Sequence, residues 1–384
     1  MSSLPCSSGK PRSFIPQSVH FHPGIHRVGL QGDNFCLTWA ADDHQYTAVD
    51  DGGGFAMTPR HGFNGHWNNR VWRIKGGPRD FEGEFLPDYP DYPQSFPHAV
   101  QSPTGRNDWY AYGAISVDGV IYQSLTLCEG DSFSPFRGVK FLVSPDCGRT
   151  WQHADGRPAR LGAHSRERAE MHFLDEDGPQ VCAFSILEFL QCGRDCSLAR
   201  DGYVYIYSPN GRPPFNNRLN LARCPRDGIL DRDRWEYFFG FRNGEPHWTP
   251  HPGWRGVVHT FPDGYDWYSW HPSVIYNPGL DLYLMANGGT GRDRTWMHTL
   301  PGTLILLWSK TPWGPWTEFY RDENWVMDNP DNRLYQPKLS PKWISPDGRT
   351  LWLVFSDASY EWGSKDGKGN YRWNAVEITL ANKP

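Results

Sequence analysis

The chain has 384 residues, which suffices for one large domain, and its aromatic content of 15% with Gly 40 and Pro 33 favours short strands and tight turns over long helices. The formal net charge of -5, with Lys+Arg 38 against Asp+Glu 43 and no long run of either sign, argues against a nucleic-acid partner. No run of roughly eighteen apolar residues exists to insert into a membrane.

The N-terminus, MSSLPCSSGKPRSF, lacks the apolar core of a signal peptide. We therefore expect either a cytoplasmic protein or the mature form of a secreted one. The eight cysteines include no CxxC pair, which argues against a structural zinc site.

Five segments share one plan, a polar turn rich in Asp and Gly followed by a strand of alternating aromatic and aliphatic residues. In chain order they are TWAADDHQYTAV, ISVDGVIYQSL, LARDGYVYIYS, YNPGLDLYLMA and ISPDGRTLWLVFS. Their anchor aromatics are Tyr46, Tyr122, Tyr205, Tyr283 and Trp352, whose residue numbers differ by 76, 83, 78 and 69. Each interval is long enough for a four-stranded propeller blade with generous loops. The repeat predicts an all-β fold, a single five-bladed β-propeller over residues 32–384 preceded by an N-terminal extension over residues 1–31.

A second repeat lies between members of the first, with the order strand, polar turn, Trp, strand. Its copies are VKFLVSPDCGRTWQHA, LNLARCPRDGILDRDRWEYFF and LILLWSKTPWGPWTEFY. We interpret them as outer hairpins whose Trp fills the wedge between neighbouring sheets. The turn SPDCGRTW at Ser144, repeated as SPDGRTLW at Ser345, is on this reading part of the scaffold, an Asx-type turn that caps a strand pair.

The candidate functional residues therefore precede the members of the first repeat, where inner strands of a propeller converge on its axis. Asp33 and Asp51 lie on either side of the first repeat, at positions where a hairpin brings both to one end of a sheet. Glycoside hydrolysis needs two carboxyl groups, one to protonate the leaving oxygen and one to act as nucleophile or base. A plain turn, or a structural calcium ion held by oxygen ligands, would explain the same acidic residues.

Glu188, in CAFSILEFLQCG, lies in an apolar strand that precedes the third repeat. A carboxylate there is either a functional acid with a raised pKa or half of a buried ion pair, for which Arg194 is a candidate partner. Asp108 and Tyr112 occupy the matching place before the second repeat, and a core aromatic is the competing interpretation for Tyr112.

Histidines and arginines support a rival chemistry, β-elimination of a uronate-containing glycan, in which Arg neutralises the carboxylate and His or Tyr removes the C5 proton. The set considered is His66, His98, His259, His271, Arg70 and Arg255. Each of these histidines also has a structural interpretation. The loop from Trp254 to Trp270 adds five Trp and Tyr residues, which suit stacking on the apolar faces of sugars.

The chain also resembles a known superfamily. The GPW of SKTPWGPWTEF resembles the five-bladed arabinanase-like furanosidases, and SPDCGRTW resembles the Asp-box of sialidase-like propellers. The opening GDNFCLTWAADDHQYTAVDDGGGF, with RDGYVYIYS, LARCPRDGI and PKWISPDGRTLWLVFS, is similar to a propeller family that includes endo-D-arabinanases. The 18-residue separation of Asp33 and Asp51 matches the paired aspartates of these relatives, so the resemblance implies a catalytic role for both.

We therefore predict a carbohydrate-cleaving enzyme, a glycoside hydrolase ahead of a polysaccharide lyase, with a non-catalytic glycan-binding propeller as a third reading. Asp33, Asp51 and Glu188 are the expected catalytic residues. The expected substrate contacts are His66, Asp108, Tyr112, Arg255, Trp270, His271 and Lys338. We expect a monomer that requires no cofactor. A structural calcium ion is compatible with the sequence.

Overall fold

The computed structural model describes residues 14–28, 32–55, 67–90, 92–93, 107–129, 136–159, 171–174, 184–210, 217–262, 271–288, 302–328, 332–359 and 372–383. Regular structure in these ranges consists of strands and of short 3-10 helices at Arg194–Cys196, Arg232–Arg234 and Pro252–Trp254. The predicted all-β fold is confirmed. Within the same ranges no helix has the length and apolar character needed to cross a membrane.

The strands form hydrogen-bonded sheets of five, five, ten and five strands in the described chain. The ten-stranded sheet consists of two antiparallel groups joined by a short parallel pairing, Leu190 with Val274 and Gln191 with Ile275. We therefore count five sheets and number them along the chain from Gly32.

The first sheet contains β3 (Leu37–Trp39), β4 (Gln45–Gly52), β5 (Trp67–Lys75), β6 (Glu82–Phe85) and β7 (Tyr92–Pro93). The second contains β8 (Asn107–Val117), β9 (Val120–Glu129), β10 (Phe136–Ser144), β11 (Gln152–His153) and β12 (Phe173–Leu174). The third contains β13 (Glu188–Gln191), β14 (Tyr203–Pro209), β15 (Arg218–Pro225), β16 (Glu236–Arg242), β17 (Glu245–Thr249) and β18 (His259–Thr260).

The fourth sheet contains β19 (Ser273–Asn277), β20 (Leu282–Asn287), β21 (Gly302–Ser309) and β22 (Thr317–Trp325). The fifth contains β23 (Asn332–Ile344), β24 (Thr350–Ser359) and β25 (Trp373–Ala381), joined by β1 (Ser18–Phe21) and β2 (His26–Val28) from the start of the chain. Both N-terminal strands pair with β25. The segment that the sequence analysis describes as an N-terminal extension thus supplies two strands, β1 and β2, to the fifth sheet.

The first strand of each sheet along the chain lies at one edge of its sheet, and we call β3, β8, β13, β19 and β23 the inner strands. Each inner strand packs against the next, and β23 packs against β3. This cyclic order brings residues that are distant in sequence to a common centre. The number of blades and the single domain stay predictions.

The two sequence repeats occupy equivalent places in the sheets. The five anchor aromatics all lie on the second strands, β4, β9, β14, β20 and β24. The recurring Trp of the outer hairpins is buried in each copy and packs against the preceding sheet. The ring centroids are 5.0 Å apart for Trp151 and Tyr89, 5.3 Å for Trp235 and Phe173, and 6.4 Å for Trp316 and Tyr207.

The turn at Ser144 is closed by its own polar side chains. The Ser144 hydroxyl accepts a hydrogen bond from Gly148 N at 2.7 Å, and Asp146 accepts one from Thr150 N at 2.8 Å. In the second copy Thr350 N donates to the Ser345 hydroxyl at 2.9 Å. The first copy joins the outer strands β10 and β11, the second joins β23 and β24, and both serve the scaffold.

Candidate functional site

The inner strands and the residues directly before them bring together four ionisable side chains, Cys36, Glu188, His271 and Lys338, which we call the central cluster. Glu188 Oε1 lies 2.6 Å from Lys338 Nζ, 3.0 Å from Cys36 Sγ and 3.5 Å from His271 Nδ1. Lys338 Nζ also donates to the backbone carbonyl of His271 at 3.2 Å. Glu188 and Lys338 lie in β13 and β23, Cys36 directly precedes β3, and His271 lies two residues before β19.

All four members are buried, with exposed fractions of 5% for Glu188, 2% for Lys338 and Cys36, and 0% for His271. Burial alone would raise the pKa of Glu188, but the Lys338 ammonium and His271 hold it below its ordinary value. Burial would likewise lower the pKa of Lys338, and its interactions with Cys36 and Glu188 keep it above the usual value. The pair is therefore ionised at neutral pH.

Burial lowers the pKa of His271 to about 4, although its contact with Glu188 acts in the opposite direction. Burial and the neighbouring Glu188 carboxylate raise the pKa of the Cys36 thiol well above its usual value. At neutral pH the imidazole is consequently uncharged and Cys36 is a thiol, which can donate its hydrogen to Glu188.

Backbone conformation around the cluster is unusual. Asn34, His271 and Gln336 have positive φ angles of 57°, 63° and 55°. Such conformations cost on the order of 1–3 kcal/mol for residues other than glycine and are found preferentially at functional sites. Each of these residues is itself in the cluster or two positions before a member. Left-handed backbone therefore occurs at or two residues before three of the four members of the central cluster, as it does at nine other non-glycine residues of the described chain.

Gly113 allows the second sheet to approach the cluster. Its φ is 64°, and a Cβ atom at this position would lie 2.2 Å from the backbone oxygen of Leu187, the residue before Glu188. Any side chain here would therefore displace the strand that carries Glu188. Adjacent Tyr112 is 3% exposed and its ring centroid lies 4.3 Å from that of His271. A stacked Tyr110, at 5.8 Å from Tyr112, continues this aromatic wall.

Asp33 lies directly opposite Asp50, because each donates a backbone N–H to the carbonyl of the other, at 3.0 and 3.1 Å. Directly opposed residues of an antiparallel pair carry their side chains on the same face. The Asp50 carboxylate accepts hydrogen bonds from Asn34 Nδ2 and from Ala111 N of the second sheet, both at 3.1 Å. Asp50 therefore ties the first sheet to the second beside Asp33.

The predicted site residues divide into three groups. Glu188, His271, Lys338 and Tyr112 are brought together, and Asp33 lies on the segment that leads to Cys36. Asp51 and Asp108 lie in β4 and β8, and their side chains lie outside the described residues, as do His66 and Trp270 entirely. The roles assigned to all of these residues stay predictions.

Arg255 lies apart from the cluster, at the end of the 3-10 helix Pro252–Trp254 in the third sheet. Its Nε donates to Asn210 Oδ1 at 3.3 Å and its Nη1 to the carbonyl of Pro252 at 3.0 Å. Nearby Trp254 is 63% exposed, the largest fraction among the apolar side chains of the described residues. Of the five Trp and Tyr residues predicted to stack on sugars in the loop from Trp254 to Trp270, Trp254 is the one that the structure describes.

The prediction that Arg194 is the ion-pair partner of Glu188 is wrong. Arg194 is exposed, and the buried partner is Lys338, 150 residues away in sequence. Sequence reasoning also missed Cys36 and Asn34. Only the place of Cys36 in the sequence could have indicated its position in the site, because it precedes the first repeat as Glu188 precedes the third. An isolated cysteine in an apolar run is usually a core residue.

In the described residues no group of three or more His, Cys, Asp or Glu side chains has a geometry that could hold a metal ion. The histidines and arginines of the elimination hypothesis do not converge in this part of the chain. Arg70 lies in β5, where its guanidinium stacks 4.0 Å from the Phe85 ring centroid, and His259 lies in β18. His66 and His98 lie outside the described residues.

No protein-family model matches the sequence, and no curated protein matches it significantly. Among solved structures, the chain is similar to a Bacteroides ovatus protein described as a candidate hydrolase, with a TM-score of 0.55 and 13% identity over 92% of this chain and 87% of that one. Lower scores relate it to glycoside hydrolases. Xylan beta-1,4-xylosidase from Bacillus halodurans has a TM-score of 0.48 and 11% identity, over 93% of this chain and 54% of that one.

The catalytic domain of the Coprinopsis cinerea GH62 alpha-L-arabinofuranosidase has a TM-score of 0.44 and 11% identity, over 92% of both chains. The first similarity supports a shared fold, and identities of this size say nothing about the reaction. The chain therefore shares the fold of the Bacteroides ovatus protein.

Proposed function

We propose that this protein is a glycoside hydrolase that cleaves a polysaccharide or oligosaccharide at the centre of a single five-bladed β-propeller. The observation that carries the proposal is the convergence of carboxylates from different sheets. Asp33 and Asp50 oppose each other in the first sheet. Asn34 donates to the Asp50 carboxylate and accepts from the Cys36 thiol, which also contacts Glu188 of the third sheet. Hydrolysis of a glycosidic bond requires paired carboxyl groups, and this centre supplies acidic groups within one hydrogen-bonded set.

Within the proposal, Asp33 and Asp51 are the acid and the base or nucleophile, in accordance with the resemblance to the arabinanase-like families. Asp50 has a supporting role, because both of its oxygens accept hydrogen bonds from neighbouring groups. His271 and Lys338 of the central cluster, with Tyr112 beside His271, are proposed inner contacts of the sugar chain, and His66, Asp108, Arg255 and Trp270 remain the proposed outer contacts. The fold shared with the Bacteroides ovatus protein is compatible with a hydrolytic reaction.

Elimination receives less support, because Arg70 and His259 lie on outer parts of their sheets among the described residues. A glycan-binding propeller without activity would be expected to repeat its sugar contacts in every sheet. Cys36, Glu188, His271 and Lys338 instead occur once each at equivalent places, which favours an enzyme.

The test is to incubate the protein with a panel of arabinans, xylans and uronate polysaccharides while reducing ends and enoate absorbance are recorded together. New reducing ends without absorbance support hydrolysis, and both rising together would show elimination. Binding without either would identify a lectin and contradict the proposal.

Variants then assign the carboxylates. Asp33→Asn and Asp51→Asn are expected to lower kcat by roughly 10²–10⁴, the range found when a general acid or base is removed. Asp50→Asn is the matched control, whose expected effect is mainly on stability. The structural calcium ion stays a prediction for the acidic loop at Asp50 and Asp51, and a fall in Tm on addition of a chelator would support it. Sedimentation would check the proposed monomer.

A further inference from the structure

Two buried thiols of the third sheet, Cys192 and Cys196, lie next to each other. Cys192 follows β13 directly and Cys196 lies four positions later, and their exposed fractions are 5% and 3%. Both are free thiols, and their side chains interact so closely that each is the largest influence on the pKa of the other. A disulfide requires two cysteines whose side chains approach each other, and this pair meets that requirement.

A short turn of left-handed backbone brings Cys196 back against Cys192. Leu198 N donates to the Cys192 carbonyl at 2.9 Å, which closes the loop on itself. Asp195 and Cys196 have positive φ angles of 53° and 56°. Ten other non-glycine residues of the described chain also have a positive φ, but no two of those ten are consecutive. The adjacency of the two thiols thus depends on a turn of uncommon geometry.

This turn is anchored from outside the pair. Asp195 Oδ1 accepts a hydrogen bond from the Ser116 hydroxyl at 2.7 Å, and Oδ2 accepts one from Gly119 N at 2.8 Å. Both donors belong to the hairpin of β8 and β9 in the second sheet. Because these bonds fix the turn, the thiols are adjacent before any bond joins them, and such proximity favours an intramolecular reaction.

Simple packing of two small side chains in the core is the competing explanation. Cys224 of the same sheet is an example, since it is 0% exposed and burial raises the pKa of its thiol. Cys196 differs, because the interaction with Cys192 and the charge of Arg226 lower its pKa in spite of burial. The thiolate is the reactive form of cysteine. Packing gives no reason for this difference, whereas thiol–disulfide exchange depends on it.

Cys196 also lies close to the surface. The two residues that follow it, Ser197 and Leu198, are exposed. The Leu198 side chain lies over Gly193, where a Cβ atom would be 2.7 Å from Leu198 Cδ1. On this side Cys196 is therefore covered by a surface turn.

We infer that Cys192 and Cys196 form a redox modification site, a dithiol that a disulfide oxidant such as oxidised glutathione converts into an intramolecular disulfide. The inference is independent of the proposed glycosidase function. Its structural consequence concerns β13, the strand that carries Glu188, because the new bond closes the turn that follows this strand.

The reaction is a two-step exchange. The Cys196 thiolate attacks one sulfur of oxidised glutathione, the bond between the two glutathione sulfurs breaks, and one glutathione leaves. Cys192 then attacks the Cys196 sulfur of the mixed disulfide and displaces the second glutathione. The two protein thiols lose two electrons and two protons in total, and one oxidised glutathione is reduced to two glutathione thiols.

The experiment equilibrates the full chain in glutathione buffers that range from reduced to oxidised, and then labels the remaining thiols with N-ethylmaleimide in denaturant. Mass spectrometry of peptides reports the state of each cysteine. The expected product in oxidised buffer is a peptide that contains Cys192 and Cys196, lacks two hydrogens and carries no maleimide. Dithiothreitol should return both thiols to the labelled form. A second sample, refolded from the reduced and denatured chain in the same buffers, reports the same equilibrium where the folded protein reacts slowly.

Variants assign the two thiols. Cys192→Ser removes the thiol of the second step, so Cys196 is expected to remain as a mixed disulfide with glutathione. Cys196→Ser removes the attacking thiol, so Cys192 is expected to stay a thiol. Cys224→Ser is the matched control, a buried thiol of the same sheet, and it should form the disulfide as the unaltered protein does.

Stability gives a second readout. A disulfide that closes so short a loop stabilises the fold only modestly, and Tm is expected to rise by roughly 2 °C on oxidation of the unaltered protein and of Cys224→Ser. Neither Cys192→Ser nor Cys196→Ser should show this rise. A Tm that falls on oxidation would mean that the bond does not fit the turn and would contradict the inference.

Two further results would overturn it. One is maleimide on both Cys192 and Cys196 after oxidised buffer, in the folded and the refolded sample alike. The other is a disulfide from either residue to a different cysteine of the chain. Because no substrate is used in these measurements, their outcome is separate from that of the glycosidase assay.

Discussion

The centre of the molecule and the wedges between its sheets are both buried, but they are built on opposite plans. The wedges hold large apolar rings that recur from sheet to sheet, such as Trp235 packed on Phe173. At the centre the same burial surrounds an ion pair, Glu188 with Lys338, and backbone in left-handed conformation. Repetition thus marks what holds the sheets together, whereas the ion pair at the centre has no counterpart in the three wedges described.

Lys338→Met tests the centre with the largest expected effect. It leaves Glu188 as a buried charge without its ammonium partner, which should cost roughly 3–5 kcal/mol in the free energy of unfolding. Urea denaturation monitored by tryptophan fluorescence measures this loss. The double variant Lys338→Met with Glu188→Gln should recover part of it, because no isolated charge remains, whereas an unchanged stability in the single variant would contradict the ion pair.

Trp235→Ala tests the wedge. Removal of an indole that is 1% exposed should cost about 3 kcal/mol or more through the cavity it leaves. The pH dependence of the remaining activity should stay unchanged, since the residue lies outside the central cluster. Trp235→Phe, which keeps most of the ring, is the control, and a shifted pH profile in either variant would mean that the two regions are coupled.

Two buried histidines, His271 and His172, allow the centre and a wedge to be compared through the pH dependence of stability. Burial lowers the pKa of His271 at the centre and of His172 in a wedge to about 4 in each case. The unfolded chain binds these protons near pH 6.5, so stability is expected to fall as the pH decreases from about 6.5 to 4, by at most about 3 kcal/mol per histidine.

His271→Gln and His172→Gln should each make unfolding less dependent on pH in that window, as measured by Tm at a series of pH values. Only His271→Gln should also alter activity. Equal effects of the two variants on activity would remove the distinction between centre and wedge.

The smallest effect is expected in the polar turns. Asp146→Ala removes acceptors from Thr150 and should cost about 1 kcal/mol, as should Asp347→Ala in the second copy, which accepts from Arg349 N at 3.1 Å. Calorimetry measures both. Activity should be unaffected, and a loss of activity in either variant would assign these turns a role beyond the scaffold.

Much of the scaffold could be predicted from the sequence. Tyr46, Tyr122, Tyr205, Tyr283 and Trp352 recur beside polar turns, and all five lie on second strands as the alternation of aromatic and aliphatic residues indicates. The position of Glu188 before the third repeat likewise predicted a carboxylate at the inner end of a sheet. Both predictions depend on local periodicity, which a sequence carries directly.

The partners of that carboxylate could not be predicted. Lys338 lies 150 residues from Glu188 and Cys36 lies 152 residues away, and nothing in their local sequence distinguishes them from other residues of a strand. The pairing of β1 with β25 likewise joins segments from the two ends of the chain and could not be predicted from local sequence. Local pattern determined the strands and their turns because those depend on neighbouring residues. The tertiary structure alone decided which side chains meet, because that depends on how separate sheets are arranged in space.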